Sequence, residues 1–230
     1  MKVIVAGATG RIGGACLARL LSNVQVTEVV VLARRAVSAD SPKLRILLLT
    51  DVEFLSYPPH ILKELEGAIG CSWAMGANSF PTLELARKVT VDYPLAAATA
   101  FASLPPSPNG QKFRFLYSSG TFVPEDPKVT GLWFLGDHRR MGSETCQKLQ
   151  NLSLGNENLD VIIAKPGGVM GTGMAPPAAE WIMKTIAPSI SIQVVPLAAA
   201  EVDVVLNGSD SKMLQNDDLK VRGQKALNNV

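Results

Sequence analysis

Six short apolar segments recur along the chain, each followed by a turn or by a stretch with helical periodicity. Segments of this length that are apolar almost throughout are typical of strands buried on both faces of a parallel sheet. The six segments are residues 2–6, 28–33, 44–49, 67–75, 113–118 and 159–164. The pattern therefore predicts six strands.

Helical patterns occupy the intervals between these segments. Apolar positions 12, 16, 17, 20 and 21 share one helical face, and further helices are predicted at 58–66, 82–104 and 139–154. Pro94 falls inside the long helix at 82–104 and is expected to kink or divide it. Strands that alternate with helices predict an α/β fold with a doubly wound, mostly parallel sheet and right-handed crossovers.

The first predicted strand ends in a glycine-rich turn. Gly7, Gly10 and Gly13 follow one another at intervals of three residues, and a helix begins within the turn. This order predicts a dinucleotide site: Gly7 permits the tight turn, Gly10 lets the backbone approach a pyrophosphate, and Gly13 lets the helix pack closely on the strand. The helix N-terminus offers N–H groups to the phosphates, whereas a turn without a ligand is the alternative. The other predicted cofactor contacts in this turn are Thr9, Arg11 and Ile12.

The end of the second strand bears on the choice of cofactor. NAD-preferring sites usually carry an acidic residue there for the ribose 2′-hydroxyl, but this chain has Arg34 and Arg35. Two guanidinium groups suit a 2′-phosphate, so NADP is the predicted cofactor, with Arg11 as a third contact. Solvated arginines without a ligand are the alternative. Asp51, just after the third strand, is placed to accept a hydrogen bond from the adenine amino group or else lies in an exposed loop.

Composition limits the classes of function. The 230 residues are 47% hydrophobic and 18% charged, which fits one domain over residues 1–230 with a sizeable core. The net charge of +2 without a basic run argues against a nucleic-acid partner. No apolar run reaches the roughly 18 residues of a membrane span. An odd count of three cysteines favours reduced thiols in the cytoplasm, and no metal site is predicted.

Residues 171–200 depart from the alternation of strands and helices. They are predicted to form a loop and a short helix that cover the substrate, as a small cap near the C-terminus. Large apolar side chains concentrate here and after the fifth strand, which favours a bulky apolar substrate, although each is also suited to an ordinary core. The predicted pocket residues are Phe122, Trp133, Met170 and Trp181.

Several segments together resemble a known family: VAGATGRIGG, VVLARR, FRFLYSSG, WFLGDHRRMGSE, AKPGG and NDDL. The chain is similar to atypical short-chain dehydrogenases/reductases of the NmrA-like and Tat-interacting-protein-like kind, common in fungi. The resemblance implies a Rossmann domain that binds NADP(H). It also implies, for redox-active members, a tyrosine that transfers a proton and a basic residue four positions later.

The chain departs from the family at that pair. The matching segment has His138 at the tyrosine position and Gly142 at the basic position. Tyr57, Tyr93 and Tyr117 do not restore the motif, because none has a basic residue four positions later. Since imidazole titrates near neutral pH, His138 is the candidate acid or base, and an exposed residue at a helix start is the alternative.

The resemblance implies further site residues at the strand ends. Ser119 matches the serine that the family places against the substrate oxygen, although Ser118 and Ser119 would also serve as strand-end caps. Lys165 ends the sixth strand and is a candidate for the missing positive charge. Pro166 and Gly167 follow it and are expected beside the nicotinamide ribose.

Three functions remain open from the sequence. The first is an NADP(H)-dependent oxidoreductase that acts on an apolar, natural-product-like small molecule. The second is a non-redox isomerase, cyclase or dehydratase of secondary metabolism on the same scaffold, with NADP bound. The third is a non-catalytic NADP sensor that binds a protein partner. A homodimer is left open as the assembly, and fold alone does not choose among these functions.

Overall fold

The computed structural model describes residues 1–76, 80–106, 110–132, 134–171 and 188–228. Its centre is a seven-stranded sheet with the order β3-β2-β1-β4-β5-β6-β9, in which every neighbouring pair is parallel. The chain crosses over between β3 and β4, as in doubly wound dinucleotide-binding folds. The predicted fold class is confirmed. The strands are β1 (Lys2–Ala6), β2 (Glu28–Ala33), β3 (Leu44–Leu48), β4 (Ala68–Trp73), β5 (Phe113–Ser118), β6 (Leu159–Ala164) and β9 (Met213–Leu214).

Helices cover both faces of this sheet. They are α1 (Arg11–Ser22), α2 (Asp51–Leu55), α3 (Pro59–Leu65), α4 (Leu83–Arg87), α5 (Tyr93–Phe101), α6 (Gly136–Leu154), α7 (Val194–Asn207) and α8 (Asn216–Asn228). One apolar core lies between the sheet and α2, α3, α5 and α6, and a second lies between the sheet and α1, α7 and α8. A short parallel ribbon of β7 (Gly168–Met170) and β8 (Ser191–Gln193) stands beside the sheet. None of the helices in the described ranges combines the length and apolarity that a membrane span requires.

The helix predicted at 82–104 is divided as expected. A π-helical turn, Lys88–Asp92, joins α4 to α5 just before Pro94. Proline has no N–H to donate to the carbonyl four residues earlier, which is that of Thr90. That carbonyl accepts a hydrogen bond of 2.8 Å from the hydroxyl of Thr145 on α6. The interruption therefore connects this helix to α6.

The structure differs from the predicted elements near the C-terminus. Residues 194–200, which the sequence prediction placed in the substrate-covering segment, form the first half of α7. Leu197, Ala198 and Ala200 are buried against the sheet and α1, so this part is core helix rather than cap. Residues 188–193 form a 3₁₀ turn and β8. The rest of the predicted cap, apart from residue 171, lies outside the described residues.

Candidate functional site

Two cavities open at the carboxyl edge of the sheet, one on each side of the glycine turn. The first, which we call the central cavity, has a volume of about 300 Å³ and lies between the turn, the end of β5 and the start of α6. The second, the β2-side cavity, has a volume of about 390 Å³ and lies between the turn and the end of β2. Met75, after β4, lines both cavities, so they form neighbouring halves of one groove.

The three glycines of the turn differ in what an added side chain would meet at each position. Gly7 has a φ of +86°, and a Cβ there would come within 2.5 Å of the carbonyl oxygen of Ala74. A Cβ on Gly13 would overlap the carbonyl of Gly7, so the close approach of α1 to β1 depends on it. Gly10 is different, because its Cβ would meet only the Gly7 carbonyl oxygen, at 3.2 Å, and it lines the central cavity. Of these three glycines, only Gly10 lacks a severe clash, and the space beside it belongs to the groove.

The N-terminus of α1 faces the same groove. Gly10 is the N-cap and supplies no side-chain hydrogen bond to the first turn. The first N–H groups of a helix have no partner within the helix and, together with the helix dipole, favour an anion. Arg11 and Ile12 line the central cavity, and Thr9 lines the β2-side cavity. The turn thus has the open backbone and the positive helix end that a pyrophosphate requires.

The two arginines after β2 lie where a ribose phosphate would be expected. Arg34 and Arg35 both line the β2-side cavity. The guanidinium of Arg34 is 3.8 Å from a carboxylate oxygen of Asp51, too far for a hydrogen bond. Asp51 is the first residue of α2, and its other oxygen lies 3.6 Å from Nζ of Lys88. Asp51 is not among the residues that line either cavity.

The two serines at the end of β5 line the central cavity but have different hydrogen bonds. The hydroxyl of Ser118 donates to Oε1 of Glu201 at 2.7 Å. The hydroxyl oxygen of Ser119 instead accepts from the thiol of Cys146 at 3.4 Å. The Ser119 hydroxyl can therefore still donate its own proton, whereas Ser118 donates its proton to Glu201.

His138 lies in the first turn of α6, in the wall of the central cavity. Its ring stacks on Phe80, with centroids 5.9 Å apart and planes 11° from parallel. Nε2 is buried and has no hydrogen-bond partner among the described residues. Leu135, at the N-cap, has a left-handed backbone with φ 49°, a strained conformation for a branched side chain beside the same cavity. The structure brings His138 and Ser119 into one cavity wall.

The position four residues after His138 is filled by a neighbouring side chain. A Cβ on Gly142 would lie 3.2 Å from a methyl carbon of Val123. The backbone carbonyl of Val123 accepts a hydrogen bond of 2.9 Å from Nζ of Lys165, which is buried. Lys165 does not line the central cavity. Its ammonium group lies behind the loop that does, and it holds that loop in place.

Four other predicted residues do not line either cavity: Pro166, Gly167, Phe122 and Met170. The N–H of Gly167 donates to Asn216 at 2.7 Å, and the carbonyl of Pro166 accepts from the N–H of Thr121 at 2.8 Å. Neither Pro166 nor Gly167 lines either cavity. Phe122 has an exposed side chain, and its carbonyl accepts a hydrogen bond from Arg139, which lines the central cavity. Met170 belongs to β7, and neither Phe122 nor Met170 lines either cavity. The remaining predicted pocket residues, Trp133 and Trp181, lie outside the described residues.

None of the three tyrosines replaces His138. Tyr57 and Tyr93 are buried in the core, packed against Phe101 and Phe54. Tyr117 borders the central cavity, but it is buried and its hydroxyl lies 3.5 Å from the carbonyl oxygen of Thr90. Burial raises the pKa of Tyr117 far above its usual range. A tyrosine that must exchange a proton near neutral pH is not supplied by these three positions.

Sequence reasoning missed Glu201. This residue of α7 is completely buried, and burial raises the pKa of its carboxyl group to about 7. The signal was present in the sequence, because residues 194–206 are apolar except for two acidic positions. Acidic side chains are rarely buried without a reason. Recognising the segment as a buried helix would have singled out this residue.

Comparison with known proteins establishes the fold. No family model and no curated protein matches the sequence of this chain. Among solved structures, it is similar to DesIV, a dTDP-glucose 4,6-dehydratase from Streptomyces venezuelae with NAD bound, at a TM-score of 0.64 and 15% identity. That match covers 99% of this chain and 81% of DesIV.

Two further solved structures have the same architecture. One is the reductase domain of PhqB from Penicillium fellutanum, with a TM-score of 0.67, 14% identity, and coverage of 94% of this chain and 67% of that one. The other is a short-chain dehydrogenase family protein from Francisella tularensis, with a TM-score of 0.66, 12% identity, and coverage of 94% and 98%. At such low identity these similarities show a Rossmann fold like that of short-chain dehydrogenases, and leave the activity to be argued from the site.

Proposed function

We propose that the protein binds NADP(H) in the groove formed by the two cavities and transfers hydride to or from an apolar, natural-product-like small molecule. The observation that carries this proposal is the arrangement around the glycine turn. Gly10 and the N-terminus of α1 face one half of the groove, and Arg34 and Arg35 line the other. A nicotinamide dinucleotide supplies or accepts the hydride when bound.

In this proposal, different residues of the chain bind different parts of the cofactor. The first N–H groups of α1 hold the pyrophosphate, which Gly10 allows to approach. Arg34 and Arg35 bind the 2′-phosphate through charge-assisted hydrogen bonds, and Arg11 neutralises phosphate charge from the turn. The solved dehydratase structure contains NAD, so the preference for NADP is the part that depends on the two arginines after β2.

The residues in the central cavity handle the substrate. Ser119 donates its hydroxyl proton to a substrate oxygen, because its oxygen already accepts the thiol of Cys146. His138 moves a proton at Nε2, the buried nitrogen without a partner. Val123 and Leu135 contribute an apolar wall, consistent with an apolar substrate. Phe122, Trp133, Met170 and Trp181 stay predicted substrate contacts in this proposal, and Trp133 and Trp181 lie outside the described residues.

A specific observation also favours a second function. Val123 fills the space beside Gly142, so the basic residue of a tyrosine-dependent reductase has no room there without displacement of that side chain. A non-redox isomerase, cyclase or dehydratase would need only orientation in the cavity and proton transfer at His138. In that case NADP serves to complete the cavity and to polarise the substrate.

One experiment tests both proposals. The protein is titrated with NADPH while the fluorescence of the reduced cofactor is followed, with Gly10→Val as the matched variant that blocks the groove. The complex is then incubated with apolar enones, ketones and imines and with NADPH carrying deuterium at C4. Deuterium in the product supports hydride transfer. Product without deuterium and without loss of NADPH overturns it in favour of the non-redox function, and the absence of binding by NADPH and NADH overturns both.

A further inference from the structure

A buried carboxyl group lies beneath the central cavity. Glu201 is on α7, fully inside the second core, and its contacts among the described residues are two uncharged donors. The Ser118 hydroxyl donates to Oε1 at 2.7 Å and the Cys16 thiol to Oε2 at 3.5 Å. No described residue forms a salt bridge with it. Isolated buried carboxylates are costly, so such a group is retained for a reason.

The Ser118 hydroxyl connects this carboxyl to the proposed cofactor site. Ser118 lines the central cavity, so Glu201 is one hydrogen-bonded side chain away from whatever occupies the cavity. Glu201 is completely buried, so bulk solvent does not reach its carboxyl group. A charge at this position therefore acts on the cavity with little screening.

We propose that Glu201 is a buried charge that selects the oxidised form of the bound cofactor over the reduced form. This inference rests on the proposed function. The oxidised nicotinamide ring carries a positive charge and the reduced ring is neutral, so an ionised Glu201 favours only the oxidised ring. A protonated Glu201 favours neither. The relative affinity for the two forms thus changes with the ionisation of one residue.

The direction of the pH dependence follows from the burial of this carboxyl. Burial raises the pKa of Glu201 to about 7, so the group is mostly protonated below that pH and mostly ionised above it. The oxidised cofactor is therefore favoured more strongly at high pH. By reciprocity, binding of NADP⁺ lowers the pKa of Glu201 and releases a proton near neutral pH, whereas NADPH does not.

The polar and charged side chains packed around α7 do not account for a change of ionisation near neutral pH, so we assign that change to Glu201. Burial raises the pKa of the Cys16 thiol on α1, so the thiol stays neutral over the same range. On β4 the nearby polar group is the uncharged Ser72, and β8 has no titratable residue. Arg222 on α8 pairs with Asp203. Arg114 on β5 donates to backbone carbonyls at the C-terminal end of α7.

The charged residues within the central cavity require a control. Arg11, Arg139 and His138 line the central cavity, and a positively charged imidazole at His138 would also disfavour the oxidised ring. His138→Phe is therefore the background for the measurement. The 2′-phosphate titrates as well, but it is present in both NADP⁺ and NADPH and cancels from the ratio of their affinities.

The test measures the dissociation constants of NADP⁺ and NADPH at about pH 6 and about pH 8 by calorimetry. In the His138→Phe background, the ratio of Kd for NADPH to Kd for NADP⁺ should rise about fivefold between these pH values, which corresponds to a roughly tenfold preference of the fully ionised carboxylate for the oxidised ring. Adding Glu201→Gln, which keeps the shape and can still bond Ser118, should abolish the rise. Asp203→Asn removes a charge from the same helix away from the cavity and should leave it.

The outcomes separate this inference from the proposed function. If both cofactor forms bind and the ratio in His138→Phe does not change with pH, the inference is overturned while the cofactor site stands. The same conclusion follows if Glu201→Gln retains the rise. Should Glu201→Gln fail to fold, proton release on binding of NADP⁺ to His138→Phe, measured in two buffers of different ionisation enthalpy, decides the matter. If neither cofactor form binds, the proposed function itself fails.

Discussion

Replacement of Arg34 by alanine should weaken the binding of NADP⁺ and leave that of NAD⁺ nearly unchanged. The guanidinium lines the β2-side cavity, and its ion pair with Asp51 at 3.8 Å is too long to occupy its donors. A hydrogen bond to a charged group contributes about 1.5–3 kcal/mol. The side chain is 45% exposed, and breaking its surface ion pair costs at most about 1 kcal/mol.

These considerations place the net loss near the lower end, at about 1.5 kcal/mol, which corresponds to roughly a tenfold increase in the Kd for NADP⁺. Arg35→Ala should give a loss of similar size. The assay is calorimetric titration of NADP⁺ and NAD⁺ into wild-type protein and the variants at one ionic strength. The Kd for NAD⁺ should change by less than about twofold, because NAD⁺ has no 2′-phosphate for the guanidinium to bind.

Arg45→Ala provides the matched control. Arg45 lies on β3, pairs with Glu64 at 2.6 Å and lines neither cavity, so its loss changes the net charge equally without touching the site. The reasoning is refuted if the wild-type protein binds NAD⁺ and NADP⁺ equally. It is also refuted if Arg45→Ala weakens NADP⁺ binding as much as Arg34→Ala, since the effect would then be one of overall charge.

Three further predictions concern the turn, the catalytic position and one ion pair. Gly10→Val should abolish NADPH binding with the circular dichroism spectrum unchanged, because Gly10 has an extended backbone that valine tolerates and its open side faces the groove; a folded variant with unchanged affinity would exclude the proposed pyrophosphate site. His138→Phe should lower turnover by about 10²-fold or more without changing NADPH affinity, and an equal rate in steady-state assays would show that its imidazole is not required. The ion pair joins α4 to α6: Glu144 contacts Arg87 at 2.7 and 3.0 Å, and hydrogen bonding to Arg87, followed by that to Lys148, lowers its pKa from 4.5 to about 2. Because the folded-state pKa is depressed, this stabilisation is complete above about pH 4.5 and is lost as the pH falls toward 2. Allowing for solvent exposure, Glu144→Gln should cost about 1 kcal/mol at neutral pH in urea unfolding, and a cost that does not shrink in acid would contradict this account.

The sequence predicted the strands well because their physical signal is local. A strand buried on both faces of a parallel sheet needs a continuous apolar run, and β1, β2, β5 and β6 have the predicted bounds. The glycine turn was predicted equally well, since the backbone geometry of the motif itself requires glycine at positions 7 and 13. His138 and Ser119 were singled out by the resemblance to a family, and both line the central cavity.

The features that were not predicted depend on distant contacts. α7 is apolar on nearly all sides because it lies between α1, α8 and the sheet, so it has no amphipathic period to reveal it. The hydrogen bond between Ser118 and Glu201 joins residues 83 positions apart. Lys165 was expected in the site, yet its ammonium group binds the Val123 carbonyl, a contact that only the tertiary structure determines.

The Val123 side chain limits which residues can replace Gly142 when this site is redesigned. A lysine at position 142 would place its Cβ 3.2 Å from the Val123 side chain, and the Val123 backbone is itself held by the buried Lys165. Replacing His138 by tyrosine and Gly142 by lysine would therefore also require the Val123 side chain to move by a few tenths of an ångström. A lysine at position 142 thus depends on how far the Val123 side chain can shift while the Val123 carbonyl stays bonded to Lys165. The Val123 side chain is therefore the first position to alter in any attempt to convert this site to tyrosine-dependent reduction.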